Sequence, residues 1–557
     1  MKNLVLRMLG ERIAMLRDIF KKLKKLTDRE HSYKTSDPLV ENISLSTNLT
    51  QNIEQFKKIF ENCSDVVFRE YTISGSKPIK AAIIYLDGLV SASLISGGVL
   101  SPLMVDGQWV NEDEKANTRN AYKTVRDKLL TMGEIIETNQ VNELADHIMT
   151  GTTALLLDGS SKALILNAKS WASRAVEEPQ TEAVVRGPRD GFTENIWVNI
   201  AHIRRRIRTS RLKSEVMKIG ALTKTDVFIL YIKDIVDDKV VDEVRTRLSR
   251  IHTDSILESG YIEEFIEDEP FTPFAQMNVT ERPDKVAAGL LEGQVAIMVD
   301  NTPFALMVPY TFPQFLDSPE DHYNRYPWAT FVRLLRIVAL IIAMLGPAVY
   351  VAITSFHQEM IPTSLLISIA SSREGIPFPA FVEAVLMEAT FEILREAGVR
   401  LPRPVGPAIS FVGALVIGEA AVTAKLISPI MVIVVALTAI ASFTIPSLEG
   451  SIAVRLIRFP IIFLAGALGL FGIMVALLAI LIHLCTLRSF GVPFLSPIAP
   501  LTPRDLKDSF VRFPWWAMFT RPRMTGSKDS VRQDFSQKPQ APLPRKNGNR
   551  KGGGEDA

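Results

Sequence analysis

The sequence predicts an α/β two-subdomain soluble N-terminal region followed by an α-helical multi-span membrane domain. Three observations predict it. Residues 1 to about 327 alternate helix-period and strand-period apolar patterns among frequent charges. Between Ile337 and Cys485 several long stretches carry no charge. From Arg488 onward the chain is basic and Pro-rich. The 557 residues, 47% hydrophobic and 22% charged, therefore average two unlike halves. With 63 Lys+Arg against 61 Asp+Glu, no whole-chain electrostatic partner is implied.

Residues 1–40 form a basic amphipathic N-terminal extension. Leu9, Ile13, Leu16, Phe20 and Leu23 recur at helical spacing, and Lys21, Lys22, Lys24 and Lys25 cluster at one end. Such a helix lies on an anionic membrane surface, packs on the domain, or serves as an arm; the pattern leaves all three open. Arg7, Glu11, Arg12, Arg17 and Asp18 interrupt the apolar core that a signal peptide needs, so the soluble part is expected to be cytoplasmic.

Residues 41–175 make the first cytoplasmic α/β subdomain. Helix patterns ("QNIEQFKKIFENC", "RNAYKTVRDKLLTMGE", "VNELADHIMTG") alternate with strand patterns ("KAAIIYLDG", and "ALLLDGSSKALILNA" turning at Asp158 to Ser161). A polar connector near 176–194 opens the second subdomain, 176–327. It holds helix "IWVNIAHIRRRIR", strand "DVFILYIKD", helix "KVVDEVRTRLSRI" and a closing hairpin "QVAIMVDNTPFALMVP".

This half shows no Gly-rich phosphate loop, metal-ligand cluster or nucleophile elbow. "GTTALLLDGSSK" has the wrong glycine and lysine spacing for a phosphate loop and reads as strand and turn. Arg204, Arg205, Arg206, Arg208 and Arg211 keep Ile203 and Ile207 at helical spacing among them, so they read as a solvated or subunit-contacting face, not a nucleic-acid site. His202 and His252 read as structural. Cys63 and Cys485 read as free thiols. No enzyme activity, cofactor or metal is expected.

Residues 328–487 form the membrane domain, with about four to five helical spans. "IVALIIAMLGPAVYVAITSF" (Ile337 to Phe356) is roughly 20 uncharged residues, enough to cross a hydrocarbon core of about 30 Å. Arg333 and Arg336 mark its cytoplasmic side. Ser428 to Ser447 and Pro460 to Cys485 read as spans, and Val405 to Ile427 as a span interrupted by the membrane-buried Glu419. The tail, 488–557, is basic and partly disordered, so a cytoplasmic location suits it. Five crossings from the cytoplasm would place it outside. Either one segment does not cross, or the tail breaks the rule.

"FPAFVEAVLMEATFEILREAGVRLP" (Phe378 to Pro402) carries Glu383, Glu388, Glu392 and Glu396. A carboxylate at mid-membrane costs roughly 2.5 to 3.5 kcal/mol, more in sum than the segment's apolar side chains return, so the acids must face protein or water. At about 100° per residue, Glu388, Glu392 and Glu396 fall within about 80° of one another. Phe381 and Val385 continue that stripe, Ala389 adjoins it, and Glu383 points elsewhere and needs its own partner. Arg395, three residues after Glu392, is a candidate to pair with it. An apolar constriction followed by acidic rings suits a cation pore lined by helix 377–397 in an oligomer. An ion or proton relay and an interfacial or bundle helix are the alternatives that periodicity leaves open.

"EEPQTEAVVRGPRDGFTENIWVNIAHIRRRI" (Glu177 to Ile207), "TERPDKVAAGLLEGQVAIMVDNTPFALMVP" (Thr280 to Pro309), "SFHQEMIPTSL" (Ser355 to Leu365) and the acidic segment, in that order, resemble the A subunits of the GerA-type spore germinant receptors. The resemblance covers about residues 50 to 500. It implies a multi-pass protein of the bacterial spore inner membrane, acting beside a transporter-like B subunit that recognises nutrients and a lipoprotein C subunit. It implies a homo-oligomer whose helices conduct monovalent cations when nutrient binds, which would trigger ion release and germination. A non-conducting scaffold and a proton-coupled transporter are the alternatives, as is a branch lacking its own nutrient-sensing partner. The N-terminal extension and the long tail fall outside what the resemblance explains.

Overall fold

The computed structural model describes residues 43–73, 78–104, 122–170, 179, 181–400, 416–503, 505–522, 528–534 and 537–539. The basic helix expected over residues 1–27 lies outside them, as do the first part of Val405–Ile427 and the end of the tail.

The first unit contains α1 (Leu49–Ile59), β1 (Val66–Ile73), β2 (Ile79–Leu86), β3 (Ile135–Thr138), α2 (Val141–Met149), β4 (Thr153–Leu157) and β5 (Ala163–Leu166). The second contains α3 (Ile196–Arg206), β6 (Leu212–Ile219), β7 (Thr225–Ile232), α4 (Asp238–Ser249), α5 (Ser259–Ile266), β8 (Asn278–Thr280), α6 (Pro283–Leu291), β9 (Val295–Val299) and β10 (Ala305–Val308). Each unit builds a five-stranded sheet, all of whose pairs are antiparallel. The strand orders are β1-β2-β4-β5-β3 and β6-β7-β9-β10-β8. One topology has been used twice.

The side chains repeat with the topology. Val141–Leu166 aligns without a gap on Pro283–Val308, matching Gly151 with Gly293, Ala154 with Ala296 and Asp158 with Asp300. Asn48 and Asn195 cap α1 and α3 through their side chains. The hairpin aspartates Asp158 and Asp300 accept from the first helical amides, Leu49 N at 3.1 Å and Ile196 N at 3.3 Å. Asn52 brackets the Ser46 backbone at 2.9 and 2.7 Å, and Asn199 brackets Thr193 at 2.7 and 2.5 Å. Each hairpin tip is thereby tied to the start of its unit's first helix.

Both faces of each sheet are covered. α1 and α2 pack on one face of the first sheet, α3 and α6 on one face of the second, and α4 and α5 on the second's other face. Arg204 of α3 joins the units. Its guanidinium reaches Asp65 at 2.6 and 2.8 Å and the Leu212 carbonyl at 2.8 Å, with Arg204 1% and Asp65 0% exposed. Arg206 pairs with Asp190 at 2.6 Å. Arg204 and Arg206 are thus turned onto acids of the protein, whereas Arg205 and Arg208 of the same cluster are exposed.

The helical region follows: α7 (Tyr326–Phe356), α8 (Thr363–Ser372), α9 (Ala380–Arg400), a helix over 416–423, α10 (Pro429–Phe443), α11 (Leu448–Leu468) and α12 (Leu470–Thr486). Among the described residues two helices, α7 and α11, are long and apolar enough to cross a membrane. α10 has 15 residues and is shorter than the expected Ser428–Ser447 span. The larger difference lies at Pro460–Cys485, which is not one helix. The chain breaks at Gly469 (φ 63, ψ −140), a conformation reserved for glycine, where a Cβ would also meet the His357 ring at 2.8 Å. α11 and α12 form an antiparallel hairpin, with Ala453 and Ile457 packed beside Leu484 and Ile480.

Because the hairpin turns back, the tail returns to the sheets. Ser489 Oγ donates to the Gln276 carbonyl at 2.7 Å, Phe490 enters the core of the second sheet, and Phe494 O accepts from Phe312 N at 2.8 Å. Farther on, Arg521 Nε donates to the Leu291 carbonyl at 2.9 Å and Lys528 N to that of Ile235 at 2.9 Å. The described residues of the tail between Arg488 and Arg532 thus lie on the side of the helical region where the sheets are.

Candidate functional site

α9 runs antiparallel to α11, and every glutamate of α9 has a cation beside it. Near its start Phe381 meets Phe463 edge-on, ring centroids 5.2 Å apart, and lies so close to Gly466 that a Cβ there would sit 2.5 Å from the ring. Two helical turns on, Glu388 Oε2 is 2.5 Å from Arg458 Nη1, and Arg458 Nε donates to the Ala343 carbonyl of α7 at 2.7 Å. Glu388 is 0% and Arg458 1% exposed. Glu392 Oε2 is 2.7 Å from Arg455 Nη1. The 388/392 spacing on α9 and the 458/455 spacing on α11 bring the two pairs into register. Pairing is what lets full charges enter an apolar bundle, since an unmatched buried ion costs several kcal/mol, on the order of the whole fold's stability margin.

The remaining acids are placed differently. Glu383, fully buried, accepts from Arg373 Nη2 at 3.0 Å and from the Ser428 amide at 2.8 Å, so it also serves the start of α10. This is the separate partner its position demands. Glu396 is exposed and pairs with Arg400 at 2.6 Å along its own helix. Val385 and Ala389 are half-buried, and Glu419 is exposed on helix 416–423. The expected Arg395–Glu392 pair does not form. Arg395 instead stands over the Phe443 ring at 5.3 Å, because Arg455 from α11 reaches Glu392 directly.

Arg455, Arg458 and Arg373 were not singled out from the sequence. The available signal was "RLIR" inside an otherwise apolar helix, spaced to present both arginines on one face. Among the described residues, four buried polar atoms at this seam find no partner: Glu388 Oε1, Glu392 Oε1, Arg395 Nη1 and Arg458 Nη2.

A second charged constellation stands where α7 leaves the sheets. Arg333 bonds Asp321 at 3.0 Å and Asp508 at 2.9 Å, and also reaches Asp317. Arg336 bonds Asp321 at 2.6 Å. The two arginines expected to mark a membrane boundary are buried joints between helix, sheet unit and tail. His322 stands 3.6 Å from Asp317 and 3.8 Å from Asp508. Burial opposes its charge, but Asp317 and Asp508 together raise its pKa above the ordinary imidazole value.

A family model described as "Bacillus/Clostridium GerA spore germination protein" matches residues 54–524. The chain belongs to the GerA family. Spore germination protein KA of Bacillus subtilis (strain 168) is 47% identical over 498 residues, 89% of this chain and 90% of that protein. Uncharacterized membrane protein YfkQ of the same organism is 46% identical over 495 residues, 88% of this chain and 94% of that one. A crystal structure of the N-terminal domain of the A subunit of the Bacillus megaterium spore germinant receptor GerK3 is 39% identical, covering 49% of this chain and 98% of that domain at a TM-score of 0.39. Both sheets, the α9–α11 seam and the α7 junction lie inside the matched GerA region.

Proposed function

We propose that this GerA-family A subunit is a multi-pass component of the spore inner membrane and that copies of it surround an axis to conduct monovalent cations. Its sheet units lie in the cytoplasm. A transporter-like B subunit senses the nutrient, a lipoprotein C subunit completes the receptor, and cation release begins germination. The observation that carries this reading is near-full-length identity of 47% to spore germination protein KA. The outward stripes of the helical region support a lipid setting: Phe331, Leu334, Leu335, Val338 and Ile341 on α7, and Ile433, Leu437 and Ile440 on α10, are all exposed. Phe381, Val385, Glu388, Ala389, Glu392 and Glu396 remain the proposed pore face, with Glu383 and Glu419 as polar groups at membrane depth.

A second reading, a non-conducting scaffold, is favoured by one observation: Glu388 and Glu392 are already matched to arginines within one chain. Two measurements separate the readings. Val385→Ala should raise unstimulated K+ release from spores about tenfold, as widening a hydrophobic constriction predicts, and Glu392→Gln should slow release after nutrient addition. Wild-type rates and triggers in both variants sink the pore assignment. The purified receptor should also contain several copies of this chain, and a stable monomer would leave the scaffold.

A further inference from the structure

We infer that Arg455 and Arg458 are counter-ions that set the charge of the α9 face, and that cations pass only when α9 separates from α11. The inference rests on the conduction reading and names what regulates it. Paired as they stand, Glu388 and Glu392 contribute no net charge to any axis they face. A cation-selective path needs those carboxylates released.

The geometry of the pairs favours release. In the sheet region Arg204 grips Asp65 through two nitrogens and two oxygens and also holds the Leu212 carbonyl, an arrangement made to stay shut. Arg458 meets Glu388 through one nitrogen and one oxygen, as Arg455 meets Glu392. Glu388 Oε1, Glu392 Oε1 and Arg458 Nη2 are buried on the same seam with no partner among the described residues. Buried polar atoms of this kind want water or another partner, so the closed seam is under-satisfied and hydration lowers the cost of parting it. The remaining bonds of both arginines run to backbone carbonyls of α7 and α11, Ala343 and Ser451, so the arginines stay behind when α9 moves.

The full chain is reconstituted in phosphatidylethanolamine/phosphatidylglycerol vesicles loaded with KCl, and K+ and Cl− efflux are followed. Arg458→Gln should raise K+ efflux about tenfold and increase the preference for K+ over Cl−. Glu388→Gln/Arg458→Gln should return both to the wild-type level. A purely structural arginine would not move the selectivity, and the double variant would be the worse of the two. If Arg458→Gln stays silent while Val385→Ala leaks, the counter-ion role is overturned and conduction survives. If no variant leaks, Val385→Ala included, both readings fall together.

Should Arg458→Gln not fold, a lock replaces it. The Phe381 Cβ lies 3.2 Å from where a Gly466 Cβ would be, close enough for Phe381→Cys/Gly466→Cys to form a disulfide across the seam. In a Val385→Ala background, oxidation of that pair should stop K+ efflux and dithiothreitol should restore it. Undiminished efflux from the oxidised form overturns the separation of α9 from α11.

Discussion

Gly469 decides whether the last apolar stretch is one helix or two. Its backbone sits where side chains are rarely tolerated, and His357 and Phe356 fill the space a Cβ would take. Gly469→Ala should therefore cost about 1–3 kcal/mol, read as a lowered melting temperature of the detergent-solubilised chain. An unchanged melting temperature would mean that the hairpin tip is not the constraint its geometry suggests. Three glycines, Gly466, Gly469 and Gly472, follow one another here, and composition alone does not say which one turns the chain. Gly466 and Gly472 are held for a different reason: a Cβ on either would strike Phe381 or the Leu464 carbonyl. Only the packing tells turn from close approach, and so Pro460–Cys485 reads as a single span in sequence.

At the scale of elements, the legible strands are the inner ones. β2, β4, β5, β7, β9 and β10 are nearly continuous apolar runs buried on both faces. β1 ("VVFREYTI") and β6 ("LKSEVMKI") stand at the sheet edges with polar side chains interleaved, and their sequence gives no comparable run. The acidic seam follows the same logic. The stripe on α9 is visible because it lies on one helix, while its partners on α11 come from another helix and need tertiary structure to be found. Short α5 carries Glu263, Glu264 and, just past its end, Glu267. Burial, with Glu267, Glu258 and Glu264 nearby, raises the Glu263 pKa to about 7. A raised carboxyl favours the fold in its protonated form. That contribution is complete below the ordinary value of 4.5 and is lost as pH rises through about 7. Glu263→Gln should leave the melting temperature unchanged near pH 4 and raise it at about pH 8. Equal effects at both pH values would show that the group titrates normally.

At the scale of the whole chain, the duplicated units, the helical region and the tail meet at one charged joint. Arg333 binds acids from the 317–321 segment and from the tail at once, so displacing the tail strips Asp508 from a buried guanidinium. His322 adds a titratable element between Asp317 and Asp508, and its backbone carbonyl accepts from Trp515 Nε1 of the tail at 3.2 Å. Because its folded pKa is raised, its share of the joint is complete below the ordinary imidazole value of 6.5. That share is lost as pH rises through the folded value. The tail should accordingly hold more tightly in mild acid. Limited trypsin digestion of the full chain in detergent reads this through cleavage between Arg512 and Lys528, with His322→Gln compared to wild type at each pH so that the protease's own pH profile cancels. At about pH 5.5 the variant should be cut several-fold faster than wild type, and by about pH 8.5 the two rates should converge. A difference that persists unchanged across the range would assign His322 to packing against Trp515 alone, and no difference at any pH would leave the tail's attachment to Arg333 and the sheet contacts.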